Sequence, residues 1–200
     1  MELSFKDLVM KGIFFYLLLF VSTSSFSQPS TKALQLSNSA LALTKQYVTY
    51  DPSYFSINYP NGDVPSDKGV CTDVVIRTYR KLDIDLQELV HNDMKAHFNK
   101  YPNVWGLKST DTNIDHRRVP NLMVFFKRKG TEKPITQNPN DYLPGDIVCW
   151  RLGGGKTHIG MVTHKKSIDD KRYKIVHNIG AGQVLEDCLF NFKIIGHYSY

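Results

Sequence analysis

The chain has 200 residues, 42% of them hydrophobic, and a formal net charge of +6 at neutral pH. This length and composition fit one domain with a buried core and give no support for a second domain or an internal repeat. The positive charge suits a polyanionic surface, although Lys127-Arg128-Lys129 and Lys165-Lys166 also fit ordinary solvated turns. No predicted helix concentrates basic residues with aromatic residues between them, which argues against nucleic-acid binding.

The first 27 residues have the pattern of a secretory signal. Lys6 and Lys11 precede an apolar run over 12–21, and small residues then lead to a cleavage point after Ser27. The apolar run is short for a bilayer span. We therefore expect an exported protein, periplasmic or extracellular, with no stable membrane insertion after cleavage; an uncleaved anchor is the alternative. Residues 28–200 would form a single domain, which we expect to be a monomer.

Apolar residues at helical spacing predict helices over the first half of the chain, at 31–50, 71–82, 86–98 and 120–128. Pro120 suits the first turn of the last helix, and Gly130 ends it. Residues 51–67 read as a long loop, which would form one wall of a cleft.

From residue 142 the pattern changes to short alternating runs separated by glycine-rich or polar turns. These predict five strands, near 146–151, 158–164, 172–178, 183–186 and 195–199. Helices followed by an antiparallel sheet are the α+β order.

Cys71 lies where a helix is predicted to begin. Lys68-Gly69 reads as a turn, and Val74, Thr78 and Leu82 then recur at helical spacing. Unpaired main-chain N–H groups and the positive end of the helix dipole would favour a thiolate there and lower the pKa of the thiol. We therefore predict that Cys71 is a nucleophile whose own main-chain N–H stabilises an oxyanion.

Two later strands supply candidates for the other members of a catalytic triad. His158 stands at the start of one predicted strand, where it would act as the base. His177, near the end of the next strand, would orient His158 through its other ring nitrogen. Asn178 is an alternative orienter, but strand alternation puts its side chain on the opposite face from His177.

The order of these segments is similar to that of the NlpC-type bacterial cell-wall peptidases, which have a papain-like fold. The segments are Cys71, Pro144-Gly145-Asp146-Ile147-Val148, His158-Ile159-Gly160-Met161-Val162 and Val176-His177. The resemblance implies N-terminal helices packed on a C-terminal antiparallel sheet of about five strands, and a cysteine peptidase or amidase that needs no cofactor. The chain departs from the NlpC pattern around the nucleophile, where Thr72-Asp73 follows Cys71.

A more specific resemblance, from about residue 42 to the end, is to an exported bacterial family catalogued as domain of unknown function 1287. It rests on Cys71-Thr72-Asp73-Val74, on residues 113–122 with the sequence Asn-Ile-Asp-His-Arg-Arg-Val-Pro-Asn-Leu, on residues 176–180 with the sequence Val-His-Asn-Ile-Gly, and on Gly196-His197-Tyr198. This family name states no chemistry, so the enzymatic interpretation rests on the NlpC-type resemblance.

Four ionisable residues at 115–118 stand directly before the last predicted helix. Either Asp115 caps that helix while an arginine pairs with a nearby acid, or Arg117 or Arg118 binds a substrate carboxylate with a bidentate hydrogen bond. Stem peptides of peptidoglycan contain such carboxylates. Further candidates for substrate binding are Asp73, His116 and Asn178.

The function predicted from the sequence is hydrolysis of an amide bond, in peptidoglycan or its peptide fragments, by Cys71, His158 and His177. One alternative is a zinc site formed by these three residues, with Asp73 or His116 as a fourth ligand. Another is a cell-wall-binding protein that keeps the papain-like fold without catalysis. The sequence also leaves open whether Cys149 and Cys188 form a disulfide.

Overall fold

The computed structural model describes residues 30–200, in which helices come first and a sheet follows. The helices are α1 (Thr31–Leu43), α2 (Cys71–Arg80), α3 (Leu86–Ala96) and α4 (Val119–Lys129), and the strands are β1 (Thr49–Tyr50), β2 (Lys68–Gly69), β3 (Thr131–Glu132), β4 (Ile147–Arg151), β5 (Thr157–Lys166), β6 (Tyr173–His177), β7 (Val184–Glu186) and β8 (Lys193–Ser199). The predicted α+β class is confirmed for these residues. The predicted signal segment, 1–27, lies outside them.

The first helix is shorter than predicted, because its apolar spacing continues beyond the point where the helix ends. Ser30 caps its start by accepting a hydrogen bond from the Ala33 amide. After Leu43 the chain makes a turn over residues 44–46, and the Thr49 amide then donates to the Asp67 carbonyl at 2.7 Å. This bond leads into a short parallel pairing of β1 with β2, which joins the loop before Cys71 to the segment that follows α1.

The main sheet has six antiparallel strands in the order β3-β8-β4-β5-β6-β7. Five were predicted, and every boundary agrees with the structure to within two residues. The sixth, β3, is wrongly absent from the prediction because two residues are too few to show alternation. It pairs with β8, placing Thr131 opposite Ser199.

Alternation along the strands divides the buried side chains between two faces of the sheet. We call the first the helix-side core, and it joins residues of α1, α2 and α4 to Ile147, Cys149, Ile159 and Met161. We call the second the far-side core, and it contains Val148, Trp150, Val162, Ile175 and Leu189. None of the helices between residues 30 and 200 has the length and apolar character needed to cross a bilayer.

Candidate active site

Cys71 is the first residue of α2, as the sequence predicts. The preceding residue, Val70, is extended, and its amide donates to the Asp73 carboxylate at 2.7 Å. This bond satisfies a main-chain donor at the helix start. Cys71 belongs to the helix-side core and is 6% exposed, so its sulfur lies at the edge of the core rather than in solvent.

The prediction of a thiolate at Cys71 is wrong for the structure as it stands. Burial raises the pKa of the Cys71 thiol to about 12; the Ile159 main-chain amide acts in the opposite direction, and the Asp73 carboxylate raises the pKa further. Removing the sulfur from water therefore outweighs the favourable helix start. Cys71 is a neutral thiol near neutral pH, and a base must remove its proton during any reaction.

The rings of the two predicted histidines, His158 and His177, are within hydrogen-bond distance of each other. His158 Nε2 lies 2.8 Å from His177 Nδ1, and His177 Nε2 lies 3.0 Å from Oε2 of Glu186. Burial lowers the pKa of His158 to about 3, with a further contribution from the nearby His177. Burial also lowers the pKa of His177, while Glu186 opposes that shift. His158 is therefore neutral at neutral pH, with Nδ1 as its remaining ring nitrogen.

The structure does not join Cys71 to His158 by a hydrogen bond. The His158 ring lies beside Trp150 of the far-side core, with the ring centroids 5.7 Å apart, whereas its neighbour Ile159 shares the helix-side core with Cys71. The sulfur and the imidazole thus approach β5 from different faces. They do so near the start of β5, before its pairing with β6 begins at Met161 and Val176.

Asn178 does not orient His158. Its side-chain amide donates to the Gly69 carbonyl at 3.2 Å, and its side-chain oxygen accepts from the Gly180 amide. Of the two candidates, His177 is the one that contacts the His158 ring, in agreement with alternation along β6. Asn178 instead fastens the end of β6 to the loop that precedes Cys71.

Asp73 and Arg117 are paired with each other rather than free for a ligand. The Nε and Nη2 atoms of Arg117 each lie 3.0 Å from a carboxylate oxygen of Asp73, and both side chains are almost fully buried. His116 is buried too, and burial lowers its pKa to about 3. The predicted substrate roles of these three residues therefore do not fit the structure, because Asp73 and Arg117 are paired with each other and His116 is buried.

Arg118 is the member of the 115–118 cluster that lies at an accessible surface. Its guanidinium is 4.1 Å from the centre of the Trp105 ring, and Nη1 is 3.6 Å from Asp115. That Nη1 atom is buried and makes no hydrogen bond with any residue of the range 30–200. Arg118 also lines a cavity of about 230 Å³, together with Tyr50, Pro52, Val70, Cys71, Trp105, Ile114, Arg117, Val119, Pro120 and Thr157.

The ligand set predicted for a zinc site is not assembled. Asp73 is paired with Arg117, and within residues 30–200 the atoms of Cys71, His158 and His177 do not form a cluster of metal-binding geometry. The cysteines are free thiols. Cys149 lies in the helix-side core and Cys188 in the far-side core, so the sheet separates the two residues of the proposed disulfide.

Two residues near the site were not predicted from the sequence. Glu186 completes a chain of hydrogen bonds behind His158, and no local pattern marks it, because an acidic residue at a strand end is common. Tyr50 lines the cavity next to Cys71. Burial raises the pKa of Tyr50, as do the Cys71 sulfur and Asp73, so its hydroxyl remains a hydrogen-bond donor at neutral pH.

The fold and these residues define an α+β protein with a buried cysteine at a helix start and a pair of hydrogen-bonded histidines on adjoining strands. Residues 37–200 match the family described as Domain of unknown function (DUF1287), and the chain belongs to that family. It is also 52% identical, over 151 residues, to an Escherichia coli (strain K12) protein described as "Uncharacterized protein YijF". That alignment covers 76% of this chain and 73% of the relative. The family predicted from the sequence is confirmed.

Proposed function

We propose that the protein is an exported thiol hydrolase that cleaves an amide bond in peptidoglycan. The observation that carries this proposal is the hydrogen-bonded chain from His158 through His177 to Glu186, placed on the strand whose Ile159 amide lies near the Cys71 sulfur. A carboxylate that accepts from His177 Nε2–H leaves Nδ1 of His177 to accept from His158. The free Nδ1 of His158 is then a proton acceptor.

The chemistry follows from two neutral groups rather than from a preformed ion pair. As the Cys71 sulfur attacks the amide carbonyl, its proton passes to His158 Nδ1, and the Cys71 main-chain N–H stabilises the oxyanion. The imidazolium then protonates the leaving amine while the carbon–nitrogen bond breaks. Water hydrolyses the resulting thioester, which releases a carboxylate and restores the thiol.

The proposed reaction requires a rearrangement, because Cys71 packs with Ile159 on the helix side of the sheet whereas the His158 ring lies beside Trp150 on the other side. At its start β5 is paired with β4, which sets His158 opposite Trp150, while its pairing with β6 begins only at Met161. The proposal therefore requires residues 157 and 158 to change their backbone conformation when substrate occupies the cavity beside Cys71 and Thr157.

The papain-like fold is part of this proposal. A cysteine at the start of one helix, a histidine at the start of a strand and a second histidine on the neighbouring strand occur here in the order that NlpC-type peptidases use. The six-stranded antiparallel sheet with helices on one face is compatible with that fold.

Peptidoglycan is the substrate class that the charge and the cavity favour. The chain has a formal charge of +6, and Arg118, whose guanidinium lies over the Trp105 ring, lines the cavity beside Cys71. A stem-peptide carboxylate in this cavity would pair with the Arg118 charge. Export, which the N-terminal segment predicts, would deliver the protein to this substrate.

A cell-wall-binding protein without catalysis is the second candidate. The observation that favours it is the neutral, buried Cys71 with no hydrogen bond to His158. Both candidates predict binding to peptidoglycan through Arg118, and they differ only in whether covalent bonds are cut.

Digestion of purified peptidoglycan separates them. Released fragments are identified by mass spectrometry for the purified chain and for Cys71→Ala, using peptidoglycan of several cross-link types. The hydrolase proposal expects new amine and carboxyl ends that Cys71→Ala does not produce. Binding by both proteins without fragments from either would overturn the hydrolase proposal and support the binding protein.

A further inference from the structure

Three side chains with metal-binding atoms lie together behind His158. His177 ends β6, Glu186 ends β7, and Cys188 follows two residues later. His177 Nε2 lies 3.0 Å from Glu186 Oε2 and 3.6 Å from Cys188 Sγ. All three atoms fall within 4.8 Å of one another, and no other group of His, Cys, Asp and Glu side chains in residues 30–200 does so.

We propose that His177, Glu186 and Cys188 bind one thiophilic divalent cation, with zinc as the fitting case. Nitrogen, sulfur and carboxylate oxygen are the zinc ligands of proteins, and three of them leave a fourth position for water. Bonds of about 2.0–2.3 Å place tetrahedral ligands roughly 3.3–3.8 Å apart. The observed separations of 3.0 and 3.6 Å therefore need only a small adjustment.

The fold holds two of these ligands firmly and leaves the third open to solvent. Antiparallel pairing of β6 and β7 sets His177 opposite Val184, and Cys188 is buried in the far-side core at 3% exposure. The Glu186 side chain is 47% exposed, which gives a cation a route from solvent. A thiolate makes the site unsuited to magnesium or calcium, which prefer oxygen ligands.

The second ring nitrogen of His177 already has the partner that a metal-binding histidine ordinarily has. His177 Nδ1 lies 2.8 Å from His158 Nε2. A cation on Nε2 fixes the proton of His177 on Nδ1, which then donates to His158. A neutral His158 must in that case hold its own proton on Nδ1.

This consequence rests on the proposed function. With the proton on His158 Nδ1, that nitrogen no longer accepts the Cys71 proton. Cation binding and hydrolysis therefore require opposite directions of the same hydrogen bond between His158 and His177. We infer that zinc inhibits the hydrolase through His177, without contact with Cys71.

Calorimetric titration with zinc chloride, on protein kept reduced by a non-thiol reductant, tests the site itself. Wild-type protein and Cys71→Ser are expected to bind one zinc with equal affinity, whereas Cys188→Ser should bind roughly a hundredfold more weakly. Cys71→Ser is the matched control, since it removes a buried thiol elsewhere. Equal affinity of Cys188→Ser and wild type, or no binding by folded wild type, would overturn the proposal.

A second variant covers the case in which Cys188→Ser does not fold, as judged by circular dichroism. Glu186→Gln changes an exposed side chain and should likewise weaken zinc binding; unchanged affinity would overturn the site.

Peptidoglycan digestion with and without zinc tests separately whether zinc binding inhibits hydrolysis. Inhibition in wild type that is lost in Cys188→Ser supports it, and zinc binding without inhibition refutes it. A protein that binds zinc but never digests peptidoglycan would refute the proposed function and leave the metal site standing.

Discussion

Replacing Asp73 by asparagine tests whether this carboxylate is part of the fold, as its contacts show, or a substrate ligand, as the sequence predicted. Asp73 accepts from Nε and Nη2 of Arg117 at 3.0 Å each and from the Val70 amide at 2.7 Å. The side chains of Arg117 and Asp73 are only 2% and 3% exposed. A neutral amide in place of the carboxylate would leave the Arg117 charge buried without a counter-ion.

The magnitude follows from that burial. Removing one partner of a buried ion pair typically costs about 3–5 kcal/mol, which is a large share of the roughly 5–15 kcal/mol that stabilises a domain. Urea unfolding followed by circular dichroism measures the loss as a lower midpoint at unchanged slope. Glu132→Gln is the matched control, because the Lys127–Glu132 pair is 63% and 48% exposed. Such exposed pairs contribute about 0–1 kcal/mol.

A loss below about 1 kcal/mol for Asp73→Asn, similar to that of the control, would refute this reasoning. It would mean that the fold does not depend on the pair, and it would reopen the role of Asp73 in ligand binding. The double variant Asp73→Asn with Arg117→Met should be less destabilised than the sum of its parts, since both charges are removed together.

Three further predictions concern the site. Alkylation of Cys71 by iodoacetamide, measured by peptide mass spectrometry, should be slow near neutral pH and become faster beyond about pH 10, because the thiol has a raised pKa and remains protonated. An alkylation rate that already reaches its plateau near neutral pH would contradict this. Arg118→Gln should raise KM for peptidoglycan fragments about tenfold with little effect on kcat, and an unchanged KM would remove Arg118 from the substrate site. His177→Ala should lower kcat by about a hundredfold or more while leaving fragment binding intact, and a KM effect alone would contradict its orienting role.

Most helices and strands could be predicted because their apolar residues follow a recognisable pattern along the chain. Short apolar runs mark β4, β5 and β6, which are buried on both faces of the sheet, and Val74 and Val75 lie in the buried helix α2. The features that were not predicted leave no periodic pattern of apolar residues in the sequence. The two residues of β3 are too few to show alternation, and the apolar spacing that continues beyond Leu43 does not reveal that α1 ends there.

Only part of the predicted site comes together in the structure. Alternation favours His177 over Asn178, and the two histidine rings are in contact, whereas Cys71 lies on the other face of the sheet from His158. The Asp73–Arg117 pair is a contact between segments 44 residues apart, and no local pattern signals it. The pKa of Cys71 also depends on how deeply the sulfur is buried, which helix-dipole arguments from sequence do not contain.

The mass of the intact protein after brief incubation with peptidoglycan fragments and an acid quench tests the proposed chemistry most directly. We expect a covalent acyl adduct, mapped to the Cys71 sulfur as a thioester, that disappears on longer incubation and never forms on Cys71→Ala. Fragments released with Cys71 unmodified, or released equally by Cys71→Ala, would contradict it.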